Sequence, residues 1–261
     1  MTQSISYLHN DSVRLCCERR GEGPQHVLFA HGWISSRRMW YEVAERLDPA
    51  LFTLHVLDFR GCGLSDRPRS ANGHNELASD LRTALAAIDA ERVTLVGHSM
   101  GGRYAQAIAT ERSPKLDRVI LVAPGTAKAL RVAPARAALS SETYGSRERI
   151  ERFQRAAMVR DVAPDVMERI VDDALIASYE HWMGVEERGR VDFSSELARI
   201  DVPALVIAGA KDPLAPPSRV KREVADAIDG ALYVELRNVG HNLPIEAPDE
   251  IAAAVQRFHA S

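Results

Sequence analysis

Six short apolar runs, each separated from the next by a stretch of helical periodicity or by polar turns, constrain this chain more than any other feature. The runs cover residues 26–30, 53–57, 93–96, 119–123, 204–208 and 232–236. Near-continuous apolar segments of this length suit strands buried on both faces. Their alternation with helices predicts an α/β fold with a mostly parallel sheet and helices on both sides. Ahead of them, residues 4–8 and 13–18 flank the turn-forming pair Asn10-Asp11 and predict an antiparallel hairpin.

The intervening helices carry their own patterns. Leu77, Leu81, Leu85 and Ile88 recur at spacings that share one helical face. Residues 99–112 follow a strand and read as helix up to Pro114. The last helix opens at Pro248, Asp249 and Glu250, where acids suit the positive end of the helix dipole. Ile251, Val255 and Phe258 form its apolar side. Between residues 125 and 201 the strand pattern stops. Helical stretches at 147–160, 165–183 and 194–200 replace it, with apolar faces at Ile150, Phe153, Ala157 and Met158, and at Val166, Ile170, Leu175 and Ile176. The chain therefore divides into core (1–124), helical insert (125–201) and core again (202–261). Inserts of this kind sit above the strand C-termini, where ligands bind.

Composition narrows the class. A hydrophobic share of 46%, a charged share of 26% and a net charge of -3 describe an ordinary globular protein. Basic clusters at 131–136 and 147–160 read as solvated faces, not as the stripe that nucleic-acid binding requires. Cys16, Cys17 and Cys62 make an odd, sparse set that argues against a disulfide framework. Metal-ligand spacings are missing, residues 1–11 lack the apolar core of a signal peptide, and no run is long enough to cross a bilayer. The expectation is a cytoplasmic enzyme with a small-molecule substrate and no metal, cofactor, nucleic-acid or membrane partner.

Gly97-His98-Ser99-Met100-Gly101 carries the chemistry. It matches G-x-S-x-G with a strand before it and a helix after it. Such a turn lifts a serine hydroxyl out of the sheet and leaves the next N–H, that of Met100, at a helix N-terminus where it can hold an oxyanion. A second donor is expected from the loop His31-Gly32-Trp33, at Trp33 N–H, with His31 bracing that loop. A hydroxyl nucleophile needs a base. Of the histidines after Ser99, His181 lies in the insert and His259 near the chain end. His241, after the last strand and preceded by Gly240, is the candidate. Asp212, after the strand at 204–208, is the candidate acid that orients it. His98 is expected to be structural. Met158, Tyr179, Trp182 and Met183 from the insert, with Leu214 and Leu243, are candidates to line a substrate pocket.

Together with the Asp58-x-Arg60-Gly61-x-Gly63-x-Ser65 loop and Gly209 to Pro213, these motifs resemble the α/β-hydrolase superfamily over nearly the whole chain. The resemblance implies an eight-stranded, mainly parallel sheet with a helical cap insert. Within that family a serine nucleophile implies an esterase, thioesterase, lactonase, perhydrolase or carbon–carbon bond hydrolase rather than a dehalogenase or epoxide hydrolase. Small carboxylesterases look closest. A non-catalytic small-molecule binder on the same fold is the alternative of another class.

Overall fold

A computed structural model describes residues 3–69, 72–130 and 141–260. The basic cluster expected at 131–136 lies outside them. Eight strands form one sheet: β1 (Gln3–Asn10), β2 (Val13–Arg20), β3 (Gln25–Ala30), β4 (Phe52–Leu57), β5 (Val93–His98), β6 (Leu116–Val122), β7 (Ala204–Gly209) and β8 (Leu232–Leu236). Their order is β1-β2-β4-β3-β5-β6-β7-β8. β1 and β2 form the expected hairpin, closed at the Asn10↔Val13 pair, with Asp11 at φ 53. β2 meets β4 antiparallel, and every pairing from β4 to β8 is parallel.

Pleating sends alternate residues to opposite layers. On β3, Leu28 and Ala30 join an apolar cluster with α2 (His74–Ala87) and α3 (Met100–Thr110). Val27 and Phe29 join a second, with α1 (Tyr41–Ala44) and the C-terminal helix Pro248–Ala260. Each Val, Leu or Phe so withdrawn from water contributes roughly 1.5–3 kcal/mol. The Asp58 loop at the end of β4 is a polar brace. Its carboxylate accepts from the N–H groups of Arg37 and Leu64, and Ser65 Oγ donates to the Asp58 carbonyl while accepting from Cys16 N–H.

Between β6 and β7 lie α4 (Arg147–Ala157), α5 (Pro164–Ile176), α6 (Tyr179–Met183) and α7 (Val185–Gly189). The single helix expected over 165–183 is broken. Ala177 is extended, and Ser178 Oγ caps α6 by accepting from His181 N–H. Of the expected α5 face, Ile170 is buried and Val166 and Leu175 are half-buried, while Ile176 departs and three further residues join the buried stripe. Met167, Ile170, Val171 and Ala174 are buried, whereas Ile176 is 43% exposed. That stripe keeps i, i+3, i+4, i+7 spacing; the pull of Leu175 and Ile176 as large apolar residues obscured it. The stretch expected at 147–160 stops at Ala157, because Val159 and Arg160 give their N–H groups to Glu246. The stretch at 194–200 is a 3-10 helix, Ser194–Arg199. A third apolar cluster joins α4, α5 and α6 to Ile34, Met39, Cys62 and Ile245.

Candidate active site

β5, β7 and β8 run parallel, so the loops leaving their C-terminal ends share one edge of the sheet. Ser99 follows β5 with φ 51 and ψ −111, a backbone state that costs a non-glycine residue about 1–3 kcal/mol. The two flanking glycines are there for space. A Cβ at Gly97 would lie 2.5 Å from the Gly101 carbonyl oxygen, and one at Gly101 would lie 2.4 Å from that of Ala30. Ser99 is pinned through its own peptide groups: its N–H donates to Val122 O, and its carbonyl accepts from Gly125 and Arg103.

Asp212 and His241 reach the same point from β7 and β8. Asp212 Oδ1 accepts from Leu214 N–H (2.7 Å) and Ala215 N–H (2.8 Å). Its Oδ2 lies 2.7 Å from His241 Nδ1. A carboxylate only accepts, so Nδ1 carries the proton. His241 Nε2 is then free to accept from the Ser99 hydroxyl, 2.8 Å away. Burial alone would raise the Asp212 carboxyl. The His241 hydrogen bond and charge, with the Ala215 and Leu214 N–H groups, outweigh burial and hold it below its ordinary value.

The His241 backbone is equally fixed. Its N–H donates to Ala157 O at the end of α4 (2.7 Å). Its carbonyl lies 2.8 Å from His98 Nε2, which therefore carries the proton. Burial, and then the neighbouring His241, push the His98 imidazole down to about 3, so it is neutral. Glu246, in the short helix Leu243–Glu246, accepts from Gly240 and Asn242 on either side of His241 and from Val159 and Arg160 beyond α4. Asn242 also donates to Gln154. Sequence reasoning missed Glu246. Its signal was a lone acid in the apolar segment Leu243-Pro244-Ile245, within one turn of the candidate base.

The loop 31–33 presses on Ser99. A Cβ on Gly32 would sit 2.8 Å from His98 Nδ1 and 3.3 Å from Ser99 Cβ, so only glycine fits. His31 is buried and neutral; its Nε2 accepts from Phe59 N–H and its Nδ1 donates to Gly32 O. Ile34 follows at φ 48, a strained state for a β-branched residue. Among the described residues, neither Trp33 N–H nor Met100 N–H has an acceptor. Chemically, an imidazole bonded to a hydroxyl on one side and a carboxylate on the other can make that hydroxyl a nucleophile.

A cavity of about 290 Å³ opens over Ser99 and His241. Leu214 lines it, as expected, but Trp182, Met158 and Leu243 do not. Trp182 is fully buried behind Trp33, edge-on at 5.1 Å, with its Nε1 bonded to Ala174 O. Leu243 is buried in the cluster under the C-terminal helix. Met158 lies just past the end of α4 and packs against the third cluster. Tyr179 is 52% exposed and Met183 packs within the same cluster, so neither reaches the cavity. The helices contribute Phe153, Gln154 and Ala157 from α4, and Val185, Arg188 and Gly189 from α7.

Comparison with known proteins agrees with this layout. The profile of the alpha/beta hydrolase family matches residues 27–254. The AB hydrolase superfamily protein YisY of Bacillus subtilis (strain 168) is 28% identical over 96% of this chain and 97% of its own. Rhodomycin D methylesterase DauP of Streptomyces sp. (strain C5) is 29% identical over 94% of each chain. The solved esterase EaEST from Exiguobacterium antarcticum superposes with a TM-score of 0.90 over 98% of this chain and 99% of its own, at 20% identity, a likeness of fold. The chain belongs to the alpha/beta hydrolase family and is a hydrolase. Among the described residues, no helix is long and apolar enough to cross a membrane.

Proposed function

We propose that the protein hydrolyses carboxylic esters through an acyl-enzyme, with Ser99 as nucleophile, His241 as base and Asp212 as its orienting acid. The observation that carries this reading is the continuous chain Asp212 Oδ2–His241 Nδ1 and His241 Nε2–Ser99 Oγ, at 2.7 and 2.8 Å. Ser99 Oγ attacks the ester carbonyl as His241 Nε2 takes its proton. The N–H groups of Met100 and Trp33 hold the resulting oxyanion. Collapse breaks the bond to the alkoxy oxygen, which leaves as the alcohol with the proton from His241. Water then gives a proton to His241, attacks the acyl carbonyl and releases the acid, restoring Ser99. This sequence calls for neither metal nor cofactor. The helices α4 to α7 act as a cap over the cavity. The 29% likeness to a methylesterase supports an ester over other acyl bonds.

The test is turnover of 4-nitrophenyl butyrate. Ser99→Ala should drop it by roughly 10⁴-fold or more, and a fluorophosphonate should label Ser99 in the wild type. Unchanged turnover in Ser99→Ala overturns the assignment; absence of both turnover and labelling points to a non-catalytic binder.

A further inference from the structure

Five arginines are buried among the described residues: Arg20, Arg37, Arg60, Arg103 and Arg188. Three of them carry carboxylate partners. Arg20 and Arg37 pair with Glu18, Arg37 also with Asp58, and Arg60 with Asp80. Arg103 and Arg188 have none among the described residues, and these two line the cavity over Ser99. A buried cation is costly unless a counter-charge or dense hydrogen bonding offsets it.

The two are not alike. Arg103, on α3 one turn from Ser99, gives its terminal nitrogens to the carbonyls of Thr126, Lys128, Arg188 and Val191. It ties the loop after β6 to α7 and the loop beyond it, and only its Nε is left without a partner, so it supplies mainly positive charge. Arg188, on α7 and 3% exposed, donates to Asn72 O (2.9 Å) and His181 O (2.7 Å). A guanidinium has five N–H bonds, so Arg188 retains several unspent ones, including Nε–H.

Beside them lies a second unexplained group. Tyr104 is fully buried on α3 next to Arg103, its ring against Phe59 and His74. The residue borders the same cavity, and its hydroxyl is buried close to Arg188 with no hydrogen-bond partner. An orphaned hydroxyl and an unpaired guanidinium sharing one wall are complementary to an anion that accepts from both.

We propose that Arg188 and Tyr104, with the charge of Arg103 behind them, form an anion subsite that binds a carboxylate carried by the substrate away from its scissile ester. This deepens the esterase reading and rests on it for the position of the scissile bond. The substrate is then a monoester of a dicarboxylic acid, or an ester whose alcohol part bears a carboxylate. Its acid group enters as the missing counter-ion of the cavity.

Two arms test the subsite separately from the nucleophile. In the kinetic arm, kcat/KM is measured for 4-nitrophenyl butyrate and for the mono-4-nitrophenyl ester of glutaric acid. The anionic ester should be preferred in the wild type. Arg188→Met should lower the ratio of the two values by roughly ten- to a hundredfold, and Tyr104→Phe by a smaller factor. Because the readout is a ratio, partial loss of folded enzyme cancels. In the binding arm, calorimetry follows glutarate binding to Ser99→Ala, and to Ser99→Ala carrying Tyr104→Phe. Binding in the first that weakens in the second supports the subsite even if neither ester is turned over, in which case it is the esterase reading that fails. A wild type that favours the neutral ester, or a ratio unmoved by Arg188→Met and Tyr104→Phe, overturns the proposal. So does a lack of glutarate binding to Ser99→Ala.

Discussion

Ser99, Asp212 and His241 leave the same edge of the sheet from the parallel strands β5, β7 and β8, and most of the hydrogen bonds that fix them run to peptide groups of the sheet and its loops. Phe153 lies on a helix of the insert held by one apolar cluster, and Val185 and Arg188 on another held by a few side-chain ties. In the first region position follows from register, which the apolar strands set. In the second it depends on how several short helices settle on a finished sheet. The reacting groups are built on the part of the fold with least freedom, and the walls of the cavity on the part with most.

Substitutions of graded severity separate the two regions. The largest effect belongs to the rim. Asp212→Asn keeps the shape but can donate to His241 Nδ1 and favour the wrong tautomer, so kcat for 4-nitrophenyl butyrate should fall roughly 10³–10⁴-fold with little change in fold. Circular dichroism checks the fold, and a variant above a tenth of wild-type kcat would count against the role given to Asp212.

Next comes the joint between the regions. Glu246 accepts four backbone N–H groups, two beside His241 and two beyond α4. Glu246→Gln replaces one acceptor oxygen with a donor, so buried N–H groups lose their partner. A loss of about 2–4 kcal/mol in urea denaturation is expected, with kcat falling as well because the His241 loop loosens. A stable variant with unchanged kcat would show that the two regions are coupled elsewhere.

A smaller effect separates them by pH. His98, under the rim, titrates at about 3 when folded and near 6.5 when unfolded. Its lowered folded value gives stability that is complete above about 6.5 and is lost as pH falls towards 3, because only the unfolded chain takes the proton. By pH 5 that amounts to about 2 kcal/mol. His98→Asn should flatten the fall in urea midpoint between pH 7 and 5. The same fall in both proteins would assign it to other groups. The smallest effect sits in the helices: Ser178→Ala removes the cap of α6 and should cost about 1 kcal/mol. Hydrogen exchange should quicken in α6 before it does in β5.

These two regions were also unequally legible in the sequence. Gly97, Ser99 and Gly101 announce their turn because the constraint is local and steric: each glycine is needed for an approach within four residues or to the neighbouring strand. Asp212 and His241 could be placed because each follows a recognisable strand by a few residues. Trp182 could not. Its size marks it as a core or pocket residue with equal force, and only the packing of α6 behind Trp33 decides between them. Arg188 left no signal, because an arginine in Glu186-Glu187-Arg188 reads as a solvated helix face until the fold buries it. The break at Ala177-Ser178 was likewise hidden, since serine is an ordinary helix residue unless its hydroxyl finds the N–H three positions on.

The fastening of His241 N–H to Ala157 O bears on how small molecules come and go. Were α4 to lift away as a door, the peptide carrying the imidazole would lose its latch, and the enzyme would idle whenever it stood open. Traffic past α7 would avoid that penalty, since among the described residues none of that helix hydrogen-bonds to the histidine's backbone. Two walls of one cavity thereby differ in how firmly they are fastened to the imidazole's own peptide.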